Sequence, residues 1–320
     1  MQITAVIVTY ADRFNLLNQV VESCFQSNVS QIIIVDNNSV KSSKIKLKNL
    51  QNYHKEKISV LWNNENLGSA KAYKQGLEKA RASKSCEYIW LLDDDNKPQK
   101  EALKIVLEFW KHKPDDVVSL LSFRPDRQQY KQAVLENNPK LVLGWANSFS
   151  GFHIVQKFNN FLFSKKTVNN ENIFGEIAYA PYGGMFFHKS LLDEIGYPNE
   201  DYFLYSDDHD WSYRITKANK KIFLVLNSII NDIDTSWALI DKKSNTFTKI
   251  KNAPPLRVYY NTRNRILFEK NYLITNSFVY TVNRFIFMAI LFFFACRSKN
   301  FKVFKKAVSD AKNNNLAKFQ

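Results

Sequence analysis

The chain has 320 residues, room for one large α/β domain with an appendage or for two small domains, and 45% of them are hydrophobic, enough for a full core. Eight glycines and eight prolines argue against long disordered linkers; three widely spaced cysteines, Cys24, Cys86 and Cys296, fit neither a disulfide framework nor a zinc site and read as free thiols in a reducing compartment. The formal net charge is +15, and residues 242–320 hold 16 Lys and Arg against two acids, Glu269 and Asp310, so the excess marks a C-terminal surface for anionic lipid, nucleic acid or an acidic ligand.

Ile3 to Tyr10 is continuously apolar and β-branched, which suits a first strand buried on both faces rather than a signal peptide. Residues 14–27 carry apolar positions at helical spacing. Gln31–Val35 is a second strand ending in Asp36-Asn37-Asn38-Ser39, and Ile58–Trp62 a third ending in Asn63-Asn64-Glu65-Asn66-Leu67-Gly68. A helix follows from about Ser69 to Ala82. A fourth strand, Tyr88–Leu92, runs into Asp93-Asp94-Asp95. The order strand, helix, strand, strand, helix, strand predicts an open, mostly parallel sheet flanked by helices. Ligands of such sheets bind outside the carboxyl ends of the strands. The four ends here are all polar, Thr9-Tyr10 included; ordinary turn chemistry is the plain alternative for any one of them.

Farther on, residues 100–112 read as a helix and Val117–Leu121 as a strand. The stretch 125–175 is aromatic and polar with weak periodicity, suited to a loop-rich acceptor side. Residues 179–187 read as a Gly-bent segment entering a strand, 188–196 as a short helix closed by Gly196, 201–218 as a helix with an acidic start, and Ile222–Leu226 as a strand. The predicted division is a catalytic domain over 1–240, with a nucleotide-sugar half to about 97 and an acceptor half beyond it, and a basic helical region over 241–320.

Adjacent carboxylates raise each other's pKa unless a cation neutralises them. The Asp93-Asp94-Asp95 run therefore suits a hard divalent ion, Mn²⁺ or Mg²⁺, that bridges to a diphosphate. Alternation in an extended segment places Asp93 and Asp95 on one side, Asp95 on the metal and Asp93 nearer the nucleoside. The competing reading is an acidic N-terminus for the next helix. In Ser206-Asp207-Asp208-His209-Asp210-Trp211, three acids and a His exceed what a helix cap requires. A sugar hydroxyl is a poor nucleophile, and a carboxylate can take its proton as it attacks. Asp208 is the first choice for that base, Asp210 the reserve, with Asp207 in the same group; His209 and Trp211 are candidates for the acceptor side. Asp36 could accept from a base or ribose. The amide of Gly68 could approach a phosphate. Gly183-Gly184 would let the backbone come close to a sugar or simply form a tight turn.

These motifs, in this order, resemble the family 2 glycosyltransferases of the GT-A fold: Ala5–Tyr10, Val35–Ser39, Asn64–Ala70 and Trp90–Asp95. Gly183–Phe187 and Tyr205–Arg214 resemble acceptor-side segments of the bacterial rhamnosyl- and galactofuranosyltransferase branch, and Arg257–Asn264 is similar to a segment those enzymes carry after the catalytic domain. The resemblance covers about residues 1–270. It implies a nucleoside-diphosphate-sugar donor, UDP- or dTDP-linked, and inversion at the anomeric carbon. It puts Asp36 on the nucleotide, Asp93 and Asp95 in an Asp-x-Asp pair, and Asp208 as base; the whole donor site expected is Thr9, Tyr10, Asp36, Asn38, Asn66, Gly68, Asp93, Asp94, Gly183 and Gly184. Many relatives have a metal-holding His after the strand matching 222–226; here the stretch is Ile229-Ile230-Asn231-Asp232-Ile233-Asp234, and Asp232 or Asp234 is the substitute.

Between Arg284 and Arg297 lie twelve uncharged residues, fewer than the 20 or so a spanning helix needs, with Asn283-Arg284 interrupting the apolar run before them. With the basic, apolar 297–312 they read as a helical hairpin or interfacial helix on an anionic leaflet; a buried core helix or a dimer contact in a homo-oligomer are the alternatives. Membrane contact would suit a lipid-linked or cell-surface glycan acceptor and peripheral attachment inside a bacterial cell membrane. Two other functions compete. A nucleic-acid binder is supported by the C-terminal charge, opposed by the acidic strand ends and by the lack of any nucleic-acid motif. A sugar nucleotidyltransferase would need an early Gly-rich basic loop, which Thr9-Tyr10-Ala11-Asp12-Arg13 does not provide.

Overall fold

The computed structural model describes residues 1–162, 172–234 and 245–319. In chain order the first half gives β1 (Ile3–Ala11), α1 (Phe14–Gln26), β2 (Gln31–Ser39), α2 (Lys41–Tyr53), β3 (Ile58–Trp62), α3 (Gly68–Ala82), β4 (Tyr88–Asp93) and β5 (Asn96–Pro98). Then come α4 (Ala102–His112), β6 (Val117–Phe123), α5 (Gln128–Leu135), α6 (Ile154–Leu162), β7 (Phe174–Ile177), β8 (Met185–His188) and α7 (Leu191–Ile195). The chain continues with α8 (Asp207–Lys217), β9 (Lys221–Asp232), α9 (Thr246–Asn252), α10 (Pro255–Tyr272), α11 (Ser277–Ala295) and α12 (Lys299–Lys312). Contacts divide the chain into two compact units. One holds Met1–Val142, 172–200 and 208–234; the other holds 143–162, 201–207 and 245–319. The expected boundary at 240 lies outside the described residues.

The first unit is an α/β layer structure around a sheet of order β3-β2-β1-β4-β8-β6-β9-β5, with β7 on β9. The pairs β1–β2, β1–β4, β2–β3 and β6–β9 are parallel, while β8 runs against β4 and β6. Because β1, β2, β3 and β4 are parallel and in register, Thr9, Asp36, Asn63 and Asp93 finish on one edge, as the alternation of elements predicts. Alternate residues of β1 face opposite layers. Ile3, Ala5 and Ile7 join Leu17, Val20, Val21 and Cys24 of α1 in the core, the buried Ile, Leu and Val side chains contributing roughly 1.5–3 kcal/mol each. On the other face α3 packs on β1 and β2. A Cβ on Gly76 of α3 would lie 2.5 Å from Val6 Cγ1 and 3.2 Å from Val35 Cγ2, so this helix can approach only with glycine there.

Four expectations change. Lys41–Tyr53 is a helix that the sequence pattern did not announce, since only Ser43 and Leu47 of its residues are buried. The weakly periodic 125–175 stretch contains α5 and α6. The strand expected over 222–226 extends to Asp232. And Asn283-Arg284 does not interrupt a helix: α11 is continuous for 19 residues. Asn283 is buried within the second unit, where its amide donates to Asn147 O (2.9 Å) and its carbonyl accepts from Ile154 N (3.0 Å), so the polar side chain is satisfied without breaking the helix.

The second unit is a helical assembly. α10 is buried over much of its circumference. Arg263 and Asn264 account for its polar interior: Asn264 Nδ2 donates to the carbonyls of Tyr202, Leu204 and Tyr205, and Arg263 donates to Asp201 O and Tyr202 O. They hold a turn in which Phe203, Tyr205 and Ser206 adopt positive φ. Glu269 accepts from the backbone N–H of Ser150 and Gly151.

Candidate active site

The acidic run does not stay extended. β4 ends at Asp93, Asp94-Asp95 make the turn, and β5 pairs antiparallel with β9 in the register Asn96↔Asp232. That turn separates the three carboxylates. Asp94 points inward, 3% exposed, and accepts from Thr9 Oγ1 (2.7 Å) and Arg13 Nε (2.8 Å). Asp93 stays open, its Oδ1 accepting from Tyr73 OH at 2.7 Å. Asp95 Oδ2 meets Arg13 Nη2 at 2.6 Å. The Ile233 N–H donates to Asp95 O, which sets Asp95 beside the end of β9.

The end of β9 supplies the acids expected in place of a His. Asp232 accepts from Arg124 Nη2 (2.8 Å) and Asp234 from Arg13 Nη1 (2.6 Å). Arg124 follows β6, is 5% exposed, donates to Asn96 Oδ1 and approaches Asp93. Five carboxylates thus share two guanidiniums. Burial, with Asp93, Asp94 and Asp232 nearby, pushes the Asp95 carboxyl up to about 7 against the pull of Arg13. Burial pushes Asp94 up to about 6, opposed by Arg13 and Thr9. Gly183 closes against this group: a Cβ there would sit 1.8 Å from Asn96 Oδ1 and 2.9 Å from Asp93 Oδ2. Gly184 bridges strands, donating to Leu91 O and accepting from Ser122 N.

Among the described residues no group of three or more His, Cys, Asp and Glu side chains stands arranged around a common metal position. The donor set itself suits a hard divalent cation, being oxygen-only and in negative excess over its arginines. Asp95 and Asp232, neighbours across the β5–β9 ladder, are the residues that fit one.

α8 brings the second acidic group to a cavity of about 160 Å³ that Asp93, Arg124, Arg127, Tyr179, Tyr182, Asp208 and His209 help to line. The helix is pinned by its own hydroxyls. Ser212 Oγ donates to Ala180 O and accepts from Ala180 N, and Thr216 Oγ1 donates to Ala178 O. His209 stacks on Tyr179 with ring centroids 4.0 Å apart. Asp208 keeps 21% of its side chain exposed. Burial, with Asp93 adding to it, pushes its carboxyl up to about 7, opposed by the His209 N–H and by Arg127.

Several expected residues stand elsewhere. Asp210, the reserve base, is 5% exposed and paired with Arg214 at 2.7 Å, one helical turn on. Asp207 is buried. Trp211, expected on the acceptor side, is 0% exposed and donates its indole N–H to Gly196 O, so it is a core residue. Thr9 and Asp94 brace each other instead of facing a donor. The Gly68 N–H, expected near a phosphate, donates to Asn66 Oδ1, and Asn66 also accepts from Asn37, so Asn66 pins the loop before α3. Asn38 accepts from Lys44. Asp36 is fully buried; its Oδ1 accepts from Ser39 N, and its Oδ2 has no hydrogen-bond partner, with the Lys44 ammonium 3.9 Å away. Tyr10 is partly exposed, its ring 5.4 Å from the Arg13 guanidinium. The sequence reading missed Arg13, Arg124, Tyr73 and Tyr179. Arg124 ends an apolar strand, so the rule that singled out the other strand ends would have found it.

The glycosyl transferase family 2 model matches residues 4–196. The chain belongs to this family. It is a glycosyltransferase with the mostly parallel sheet and flanking helices of the GT-A fold, followed by a helical extension. Similar solved structures include the mannosyltransferase PcManGT from Pyrobaculum calidifontis in complex with GDP-Man and Mn²⁺, at 14% identity and TM-score 0.52, covering 100% of this chain and 88% of that one. GalNAc-T7 with UDP, GalNAc and Mn²⁺ is also 14% identical, with TM-score 0.53, covering 99% of this chain and 58% of its own. S. aureus TarS, 14% identical at TM-score 0.49, covers 85% of this chain, which spans only 44% of the TarS chain. At such identity these likenesses show the fold alone. No curated protein matches this chain.

Proposed function

We propose that this glycosyltransferase inverts the anomeric carbon of a nucleoside-diphosphate sugar in a single displacement, with Asp208 as base. The acceptor hydroxyl attacks C1, the bond from C1 to the diphosphate oxygen breaks, and the hydroxyl proton passes to the Asp208 carboxylate. What supports this most is the cavity that Asp208 shares with Asp93, together with a carboxyl pushed up to about 7, where a base works near neutral pH. Asp93 would meet the donor. Asp36, whose Oδ2 lacks a hydrogen-bond partner, would meet the nucleoside. Asp95 and Asp232 would hold a divalent cation, which when bound would offset the charge of the departing diphosphate.

The sugar proposed is galactofuranose or rhamnose, on the resemblance of Gly183–Phe187 and Tyr205–Arg214, with a UDP- or dTDP-linked donor. Solved relatives bound to GDP-Man or to UDP with Mn²⁺ support a nucleotide-sugar donor with a metal. The proposed acceptor is a lipid-linked or cell-surface glycan met at an anionic membrane surface. α11 is the one described helix long and apolar enough to cross a membrane by length and composition. Within its unit Asn283, Phe287, Leu291 and Ala295 face inward, whereas Phe278, Phe285 and Phe293 are 76%, 74% and 82% exposed. One packed face and one open apolar face suit a helix lying in the interface better than a spanning one. Lys299, Lys302, Lys305 and Lys306 on α12 are exposed beside it and suit acidic headgroups.

Thermal unfolding tests the donor site. UDP or dTDP with Mn²⁺ is expected to raise the melting temperature more than either alone; no shift with any combination would refute the reading.

A further inference from the structure

We propose that Arg13, held between Asp94, Asp95 and Asp234, is a latch that competes with the divalent cation for Asp95. The three nitrogens of its guanidinium are divided among three carboxylates. Nε is anchored on Asp94 at 2.8 Å, Nη2 on Asp95 at 2.6 Å and Nη1 on Asp234 at 2.6 Å. The anchor is the most deeply set of the contacts. Asp94 is buried and is also held by Thr9, and the Tyr10 ring lies 5.4 Å from the guanidinium carbon. Because the guanidinium is a rigid planar fork, releasing Asp95 and Asp234 means turning the whole group about its contact with Asp94.

Two observations set this arrangement apart from a plain structural ion pair. Arg13 is the N-cap residue of α1, where the helix dipole disfavours a cation. Neutralising Asp94 alone would require one contact, yet the two shortest contacts go to the outer carboxylates. Asp95 Oδ1 already accepts from Asn96 Nδ2, so Oδ2, the oxygen that Arg13 holds, is the one a cation would have to claim. A guanidinium held 2.6 Å from that oxygen repels a divalent cation arriving at it, so each disfavours the other there. The latch makes the cation a weak ligand by itself and a strong one together with a diphosphate, whose oxygens give the released Nη atoms a new partner. Metal uptake is thereby tied to donor binding.

The inference rests on Asp95 as a metal ligand, and its test separates the two. Mn²⁺ binding is measured by isothermal titration calorimetry, with and without saturating UDP, for the wild type, Arg13→Gln, Arg13→Lys and Asp95→Asn. Arg13→Gln should bind Mn²⁺ alone about tenfold or more tighter than the wild type, and the extra tightening that UDP gives the wild type should shrink. Arg13→Lys, which keeps the charge but cannot span three carboxylates, should lie between them. Asp95→Asn should lose Mn²⁺ binding with and without UDP. If Asp95→Asn loses the metal but neither Arg13 variant binds Mn²⁺ alone more tightly, the latch is wrong and the metal ligand stands. If Asp95→Asn binds Mn²⁺ as the wild type does, both are wrong. Circular dichroism monitors folding; loss of fold in both Arg13 variants would make the residue structural and overturn the latch.

Discussion

Asp207, Asp208 and Asp210 illustrate how little separates a base from a brace. On a helix, residues two apart point about 200° from each other. Asp208 faces the cavity, whereas Asp210 meets Arg214 one turn on and is neutralised there. Composition announced the acidic group, and helical phase, which the presence of Arg214 at the i+4 position makes readable, sorts it. The same holds for Asp93-Asp94-Asp95, where alternation in an extended strand gives way to a turn that sends Asp94 to Thr9 and Arg13. No local signal carries that turn, because it is set by the pairing of β5 with β9, more than 120 residues later. Asp208→Asn should leave donor affinity nearly unchanged while transfer falls about a hundredfold or more. A base works deprotonated, and the Asp208 carboxyl sits at about 7. The transfer rate of the wild type should therefore fall as pH drops below about 7, and initial rates across pH 5.5–8.5 check this. A flat profile would move the proton transfer to another group.

The helix that carries Asp208 owes its position to hydroxyls, not to apolar packing alone. Ser212 is buried and bonds both the N–H and the C=O of Ala180. Ser212→Ala leaves those backbone groups unpaired, and chemical denaturation should show a loss of about 1–3 kcal/mol. Transfer should drop with it, since Tyr179 and His209 lose their registration; an unchanged enzyme would mean that α8 is held some other way. Elements with an apolar stripe, such as α1 and α4, were legible from spacing. α2 was not, because its surface is polar nearly all round. α11 looked too short because Asn283-Arg284 reads as a break, and the partners that satisfy Asn283 lie more than 120 residues earlier in the chain.

Across the whole molecule, acid and base are segregated by sequence. Carboxylates collect at the strand ends of the first unit, while the second carries the basic excess. The parallel sheet and its polar edge were readable because parallel strands carry all their C-terminal ends to one side. The second unit was readable only as basic and helical, since its segments 143–162 and 201–207 are drawn in from distant parts of the chain. If its open face meets a membrane, Phe285→Glu with Phe293→Glu should abolish flotation with anionic liposomes and leave the melting temperature within a degree or two. Retained flotation would assign the face to something other than lipid.

The most direct test of glycosyl transfer is a panel of nucleoside-diphosphate sugars incubated with Mn²⁺, with release of the nucleoside diphosphate as the readout. Wild-type protein should turn over at least one of them, galactofuranose or rhamnose donors foremost, and Asp208→Asn should turn over none at a comparable rate. Turnover of no donor by the wild type, or equal turnover by Asp208→Asn, would contradict the account.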